Sequence, residues 1–448
     1  MTDINRGSGP DGLGHTSSIA RRTRGYMARV DRLNSNIHAF TAVDRSRALK
    51  TARDLDALPA DRRGGLHGMV VAIKDNIDTK NCRCCAGIPG FQDRIATEDA
   101  QVVARLRAED AVILGVTATD SGAFGVTTPE VINPTRPDHI VGGSSGGSAA
   151  AIAADFCDLA IGTDTGGSVR IPAACCGIYG FKPTIGTIPT DGIRPLSPRF
   201  DHIGFLARSI PCIERTLAVF GLIAPTPAET RPARIGVPWS SLACIEPDIS
   251  DAMDRTCRSL RAAGHNLSEV AFPDFDDVLA FHLNLSLADA VSTYEARDDL
   301  TSDDLPEIMQ KSLEIGSRVS TSDLIAAETR RRAYLEALDV LFSQVDFLLL
   351  PTLPCLVPER SDDSALVNGE PASILAALIR FTAPFNQSGH PALSFPDPTC
   401  REGFPQGLQL VGRRNEDSSL LALVREITPK IHPVDHHGLS NKPRICDE

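Results

Sequence analysis

The chain has 448 residues, a net charge of −12 and a hydrophobic content of 42%. The acidic balance and the absence of a long basic run argue against nucleic acid as a partner, and the hydrophobic content is typical of a globular protein. No stretch reaches the ~18–20 apolar residues that a membrane-spanning helix needs, so we expect no membrane association.

The N-terminal segment and the cysteines indicate the compartment. Residues 1–16 are polar and glycine-rich, without the apolar stretch of a secretion signal, and we expect a disordered tail. The 12 cysteines include neighbours at Cys82, Cys84 and Cys85; Cys82 and Cys85 have C-x-x-C spacing, but no second such pair completes a zinc-binding pattern. The sequence therefore predicts free thiols, no metal site and a reduced, cytoplasmic protein.

Segments typical of helices and strands alternate along the chain. A helical region is predicted first, over residues 17–60, with its helix running to about residue 57. Buried strands are predicted at 68–73, 111–116, 159–162, 178–183, 203–207, 233–238, 345–351 and 407–411. Helices are predicted at 97–109 with Thr97 as N-cap, and at 147–154, 210–220, 251–263, 322–342 and 418–427. Residues 298–307 and 358–371 are predicted to be exposed loops. This alternation predicts an α/β protein with a mainly parallel or mixed sheet.

Two glycine–serine loops, at 142–148 and 162–168, are the most unusual feature of the sequence. Glycines let backbone N–H groups approach a ligand, and serines offer nucleophiles and proton carriers. A pair of flexible linkers is the alternative interpretation. The helix-forming run at 149–154 argues against it, because a flexible linker is not expected to lead directly into such a run.

The second loop suggests acyl transfer. Successive N–H groups from Thr165 to Ser168 can converge as an oxyanion hole beside the Ser168 hydroxyl. A serine nucleophile needs a base, and neither His15 nor His139 has a suggestive setting. Lys74 is a candidate because it ends a predicted buried strand, but it can act only if burial or a nearby positive charge lowers its pKa. An ordinary surface lysine is the alternative.

Other chemistries also fit parts of these loops. Residues 143–147 match G-x-S-x-G, which would make Ser145 the nucleophile of an α/β-hydrolase. That interpretation lacks a clear preceding strand and a well-placed downstream histidine. A phosphate-binding loop is a further alternative, but no G-x-x-x-x-G-K-[ST] pattern follows a strand.

The combined motifs resemble the amidase signature family. They are Lys74-Asp75, GGSSGGSAAA at 142–151 and GTDTGGSVRIPAACCGIYGFKPT at 162–184. The resemblance is dense over 65–208 and recurs weakly at 381–396 and 405–413. It implies a single large α/β domain over residues 17–430, with a mixed central β-sheet wrapped by α-helices, a signature core at 65–208 and a C-terminal tail at 431–448.

The resemblance also implies a catalytic triad without histidine, metal or cofactor. Ser168 would be the nucleophile, Ser144 would relay its proton from a cis peptide after Gly143, and Lys74 would be the base. The amides of Thr165, Gly166, Gly167 and Ser168 would form the oxyanion hole. Supporting roles are implied for Asp164, Arg170, Ser145 and Ser148.

The implied activity is hydrolysis of a small amide, or of a urea- or carbamate-like substrate, by a stand-alone amidase, for which a homodimer is the family-level expectation. The glutamine-hydrolysing subunit of a tRNA-dependent amidotransferase is the alternative, and a non-catalytic binding protein on the same scaffold is a weaker one. Val116 and Ala118 stand where the family often has Lys and Asn, and segment 124–134 is shorter than in many members, those of tRNA-dependent amidotransferases included. Because loops near a site set its specificity, these departures leave the substrate open.

Overall fold

The computed structural model describes residues 18–223, 232–242, 245–295, 301–397 and 406–431. Its central element is a mixed β-sheet. The predicted tails at 1–16 and 431–448 lie outside these residues, except for Ile431, which ends the last helix. The strands are β1 (Phe40–Val43), β2 (Val70–Lys74), β3 (Val112–Thr117), β4 (Leu159–Asp164), β5 (Tyr179–Lys182), β6 (His202–Ala207), β7 (Arg234–Val237), β8 (Asn266–Glu269), β9 (Phe347–Pro351), β10 (Ala365–Val367), β11 (Glu370–Ala372), β12 (Ala392–Asp397) and β13 (Gln406–Gly412).

Helices occur along most of the chain and cover the sheet. They are α1 (Ile19–Ile37), α2 (Arg45–Asp56), α3 (Gln101–Ala108), α4 (Gly146–Ala153), α5 (Arg170–Cys176), α6 (Ile210–Val219), α7 (Pro247–Ala262), α8 (Phe275–Glu295), α9 (Glu307–Ser317), α10 (Thr321–Gln344), α11 (Ile374–Ile379), α12 (Pro384–Gln387) and α13 (Asp417–Ile431). Within the described ranges, no helix is long and apolar enough to cross a membrane.

The main sheet has eleven described strands in the order β1-β3-β2-β4-β6-β5-β12-β13-β9-β7-β8. Strand β2 runs parallel to both β3 and β4, and β7 runs parallel to both β8 and β9. Antiparallel pairs connect these two parallel groups and add β1 at one edge. The predicted single domain with a mixed central sheet is therefore confirmed.

Apolar side chains cover both faces of this sheet. In β2, Val71 and Ile73 belong to one large core cluster, whereas Val70 and Ala72 belong to a second cluster that includes residues of α1 and α4. Successive side chains of a strand point to opposite faces, so a strand buried on both faces is apolar at every position. Lys74 follows Val70 and Ala72 at the same spacing and lies on the α4 side.

Some local predictions were wrong. The helix predicted to run to residue 57 is interrupted by β1, because the Asn34 side chain binds both the N–H and the carbonyl of Phe40. Thr97 does not cap α3, which begins four residues later. The preceding segment is held by loop hydrogen bonds from Ala96 N to Cys82 O and from Ala100 N to Asp78 O, at 3.0 and 2.8 Å.

The two predicted loops also differ from the structure. Segment 358–371 contains most of the β10–β11 hairpin, whose turn residues Asn368 and Gly369 both have positive φ, as expected for an Asn-Gly turn. Residues 298–300 lie outside the described part of the chain, and Glu307 begins α9. Helix α8 was not predicted at all. The nine cysteines that the structure describes are all free thiols, as expected.

Candidate active site

The site forms where β2 and β4 end. These neighbouring strands are parallel, so Lys74 and Asp164, the last residue of each, lie at the same edge of the sheet. Loop 142–148 leads into α4, and the loop after β4 leads into α5. The N–H of Ser145 donates to the Ser168 carbonyl at 3.1 Å, and this hydrogen bond ties the two glycine–serine loops together.

Close packing explains two of the glycines. The peptide between Gly143 and Ser144 is cis, as the family resemblance implies. A Cβ on Gly143 would lie 2.1 Å from Asp120 Oδ2, and a Cβ on Gly162 would lie 2.6 Å from Ser145 Oγ. A side chain on Gly143 would therefore push the first loop away from Asp120, and one on Gly162 would push that loop away from β4.

Lys74 is fully buried, with 0% of its surface exposed. Its Nζ donates to Ser144 Oγ at 2.8 Å and to Thr163 Oγ1 at 2.8 Å. Burial lowers the pKa of Lys74 from 10.5 to about 7, although the charges of Asp120, Asp164 and Asp201 oppose this shift. A lysine with a pKa near neutrality can accept a proton, which is what a general base must do.

Two of the surrounding carboxylates are themselves unusual. Burial raises the pKa of Asp120 to about 6 and that of Asp201 to about 6, against the hydrogen bonds that each accepts. Asp120 accepts from the N–H and the hydroxyl of Thr128, at 2.9 and 3.0 Å. Asp201 accepts from Thr165 Oγ1 at 2.5 Å. Both carboxylates therefore hold the loops around Lys74 in place.

Ser168 is brought to the site but does not complete the predicted hydrogen-bonded chain. The residue is only 6% exposed, and its Oγ makes no hydrogen bond to any residue that the structure describes. The link from Lys74 to Ser144 is thus present, whereas a bond between the Ser144 and Ser168 hydroxyls is not. Catalytic hydrogen bonds are often long before substrate binds. The role of Ser168 stays a prediction.

The expected oxyanion-hole amides divide into two groups. The N–H of Gly167 donates to Asp164 Oδ1 at 2.9 Å, so this group is already engaged. Among the described residues, the N–H groups of Gly166 and Ser168 have no acceptor. The available donors therefore flank Gly167. The N–H groups that remain candidates for the oxyanion hole are those of Ser168, Gly166 and the neighbouring Thr165.

Asp164 and Arg170 form a fully buried ion pair beside these amides. Arg170 Nη2 and Nε lie 2.8 and 3.0 Å from the two carboxylate oxygens. Burial by itself raises the pKa of Asp164, but the charge and hydrogen bonds of Arg170 outweigh it and hold that pKa below its usual value. The remaining Arg170 hydrogen bonds go to the Thr382 carbonyl, Asn386 Oδ1 and Gln409 Oε1.

The supporting serines lie behind the site. Ser145 Oγ donates to the Thr163 carbonyl at 3.2 Å, so it is engaged with β4. Ser148 Oγ donates to the Ile161 carbonyl at 3.1 Å and also bonds Thr117 Oγ1. Both contacts fit the loop-stabilising roles predicted for these hydroxyls.

Sequence reasoning missed several residues around the site, namely Asp120, Thr163, Asp201, His282, Thr382 and Asn386. Thr163 lies within the second motif and could have been identified. Asn386 and Thr382 lie in the stretch 381–396, whose weak family resemblance was the available signal. Asp120, Asp201 and His282 approach through tertiary packing that no local pattern in the sequence marks.

Comparison with known proteins agrees with this fold. A family model described as Amidase matches residues 21–421, and the chain belongs to this amidase signature family. The A component of the glutamyl-tRNA(Gln) amidotransferase of Thermus thermophilus is 34% identical over 461 residues, covering 91% of this chain and 93% of that protein.

Solved structures show the same architecture. A crystal structure of an amidase is 29% identical, with a TM-score of 0.85, and the match covers 91% of this chain and 95% of that one. The structure of 6-aminohexanoate cyclic dimer hydrolase complexed with substrate is 26% identical, with a TM-score of 0.82 and coverage of 97% of each chain. The family thus includes both hydrolases and components of amidotransferases.

Replacing Arg170 tests the buried ion pair. We predict that Arg170→Leu lowers the free energy of unfolding by about 3–5 kcal/mol, because Asp164 would stay buried without its counter-charge. Arg414→Leu is the matched control, since Arg414 pairs with Asp339 at 3.0 Å with both side chains at least 40% exposed. Its expected cost is below about 1 kcal/mol. Urea denaturation of both variants measures the difference, and equal losses would contradict the prediction.

Proposed function

We propose that the protein is a stand-alone amidase that hydrolyses the C–N bond of a small amide, urea- or carbamate-like substrate. Family membership supports a C–N hydrolase. The observation that carries the mechanism is the buried Lys74, whose Nζ lies 2.8 Å from Ser144 Oγ in a setting that brings its pKa to about 7. This pair supplies a base and a proton relay, so the proposed mechanism requires no histidine as base.

In the proposed first step, Ser168 Oγ attacks the substrate carbonyl carbon. Its proton passes to Ser144 Oγ as the Ser144 proton passes to Lys74 Nζ. The resulting oxyanion accepts hydrogen bonds from the N–H groups of Gly166 and Ser168, which have no described protein acceptor in the structure. Such donors are worth ~2.7–4 kcal/mol each in other acyl-transfer enzymes.

The tetrahedral intermediate then collapses and the C–N bond breaks. Lys74 returns a proton through Ser144 to the leaving nitrogen, which departs as ammonia or an amine. Water attacks the Ser168 ester, and the same relay takes up its proton and restores the Ser168 hydroxyl. The overall reaction adds one water and releases an acid and an amine, so it requires no cofactor.

The glutamine-hydrolysing component of a tRNA-dependent amidotransferase is the second candidate. Its support is the 34% identity to the Thermus thermophilus amidotransferase protein over nearly the whole chain. Ammonia release from glutamine, compared with release from small aliphatic and aryl amides, separates the two candidates. A preference for glutamine that appears only with co-purified partner proteins would favour the second.

Replacing the proposed nucleophile should abolish activity without affecting the fold. We predict that Ser168→Ala lowers ammonia release from any accepted amide by at least about 10³-fold, because the acyl-enzyme can no longer form. Ser292→Ala, an exposed serine of α8 that bonds only its own helix, is the control and should retain full activity. Melting temperatures should match wild type. Retained hydrolysis in Ser168→Ala would refute the nucleophile assignment.

The pH dependence should report Lys74. A base must be unprotonated to act, and burial lowers the Lys74 pKa to about 7. We therefore predict that kcat/KM rises with pH up to about 7 and levels off above it. Asp120 and Asp201, with pKa values raised to about 6, are ionised over pH 7–8.5. Lys74→Met should show little activity and no inflection. A wild-type profile that is flat or falls from pH 6 to 8.5 would contradict this assignment.

A further inference from the structure

His282 contacts the proposed oxyanion loop from a part of the chain outside the signature motifs. It lies on α8 and is 3% exposed. A Cβ built on Gly166 would lie 3.0 Å from His282 Nε2, so this ring nitrogen directly faces the backbone of Gly166. The Phe200 ring lies on another side, with a ring-centroid distance of 6.1 Å. The imidazole thus lies beside the loop whose N–H groups would bind the substrate oxyanion.

The other ring nitrogen is occupied. Gln387 Nε2 donates to His282 Nδ1 at 2.9 Å. With the Gln387 amide in this orientation, which leaves its Oε1 buried without a partner among the described residues, Nδ1 accepts and the neutral ring carries its proton on Nε2. Among the described residues, His282 Nε2 has no hydrogen-bond partner. A donor in a nearly buried position therefore faces the Gly166 backbone, without an acceptor among the described residues.

The ring is neutral at physiological pH. Burial lowers the pKa of His282 to about 4, with Asp164 opposing and Arg170 reinforcing the shift. A neutral imidazole offers a hydrogen bond but no full positive charge. Asp120 and Asp201 lie near the same site and are ionised at neutral pH. These features favour an uncharged acceptor in the substrate over a carboxylate.

We propose that His282 is a specificity-determining residue whose Nε2–H donates to a second, uncharged oxygen of the substrate close to the scissile carbonyl. The favoured substrates are small amides that carry such an acceptor, as in a β-dicarbonyl arrangement. This inference rests on the proposed function, because it takes the Gly166 and Ser168 amides as the oxyanion hole. A site built to donate to such an oxygen discriminates against an analogue that lacks it.

A pair of matched substrates tests the proposal. 3-Oxobutanamide and butanamide differ only in the second carbonyl oxygen, and ammonia release gives kcat/KM for each. We expect His282→Leu to lower the ratio of the two values by roughly tenfold, as loss of one hydrogen bond implies. His282→Gln places an amide nitrogen near the original Nε2 and should retain most of the ratio. Comparing ratios between variants removes the intrinsic difference in substrate reactivity.

A second variant keeps the test decisive if His282→Leu does not fold. Gln387→Met removes the donor that fixes the ring proton on Nε2, and we expect it to lower the same ratio by a smaller factor. Melting temperatures of all variants show whether the fold is intact.

The outcomes distinguish the two proposals. An unchanged ratio in a folded His282→Leu, or in Gln387→Met where His282→Leu does not fold, would overturn the role of His282 and leave the amidase proposal standing. No ammonia release by wild type from either substrate, or from any other amide, would overturn the proposed function and this inference with it.

Discussion

Burial of the Lys74 ammonium without a carboxylate in direct contact is the constraint on which the site depends. The acceptors within 3 Å of Nζ are the hydroxyls of Ser144 and Thr163. The carboxylates of Asp120, Asp164 and Asp201 influence Lys74 through space. Burial disfavours the charged form, and a neutral amine near pH 7 follows. A direct ion pair would instead keep the lysine protonated and unable to act as a base.

The geometry around Lys74 depends in turn on the Asp164–Arg170 pair. Asp164 holds the N–H groups of Gly167 and Val169, at 2.9 and 3.1 Å, and so shapes the second loop. Arg170 extends this network to Asn386 before β12 and to Gln409 on β13. The signature core and the C-terminal strands are therefore joined beneath the site. Changes far along the chain can reach the loop that carries Ser168 through this network.

Local sequence patterns predicted the strands that position the site, and tertiary packing determined the rest. The apolar run before Lys74 and the glycine–serine loops identified the ends of β2 and β4, because burial and backbone freedom leave local signatures. Strand β1 was missed because the Asn34 side chain and sheet pairing override the helical pattern around it. The engagement of the Gly167 N–H and the approach of His282 to Gly166 arise from the folded arrangement. No spacing in the sequence encodes either contact.

The most direct measurement of the central claim is the site and rate of covalent labelling by a sulfonyl fluoride, followed by peptide mass spectrometry. These reagents trap activated serine hydroxyls, so the adduct identifies the serine that Lys74 activates. We predict a single adduct at Ser168, formed at a rate that rises with pH up to about 7 and is almost lost in Lys74→Met. An adduct at Ser145, or an unchanged labelling rate in Lys74→Met, would contradict this assignment of nucleophile and base.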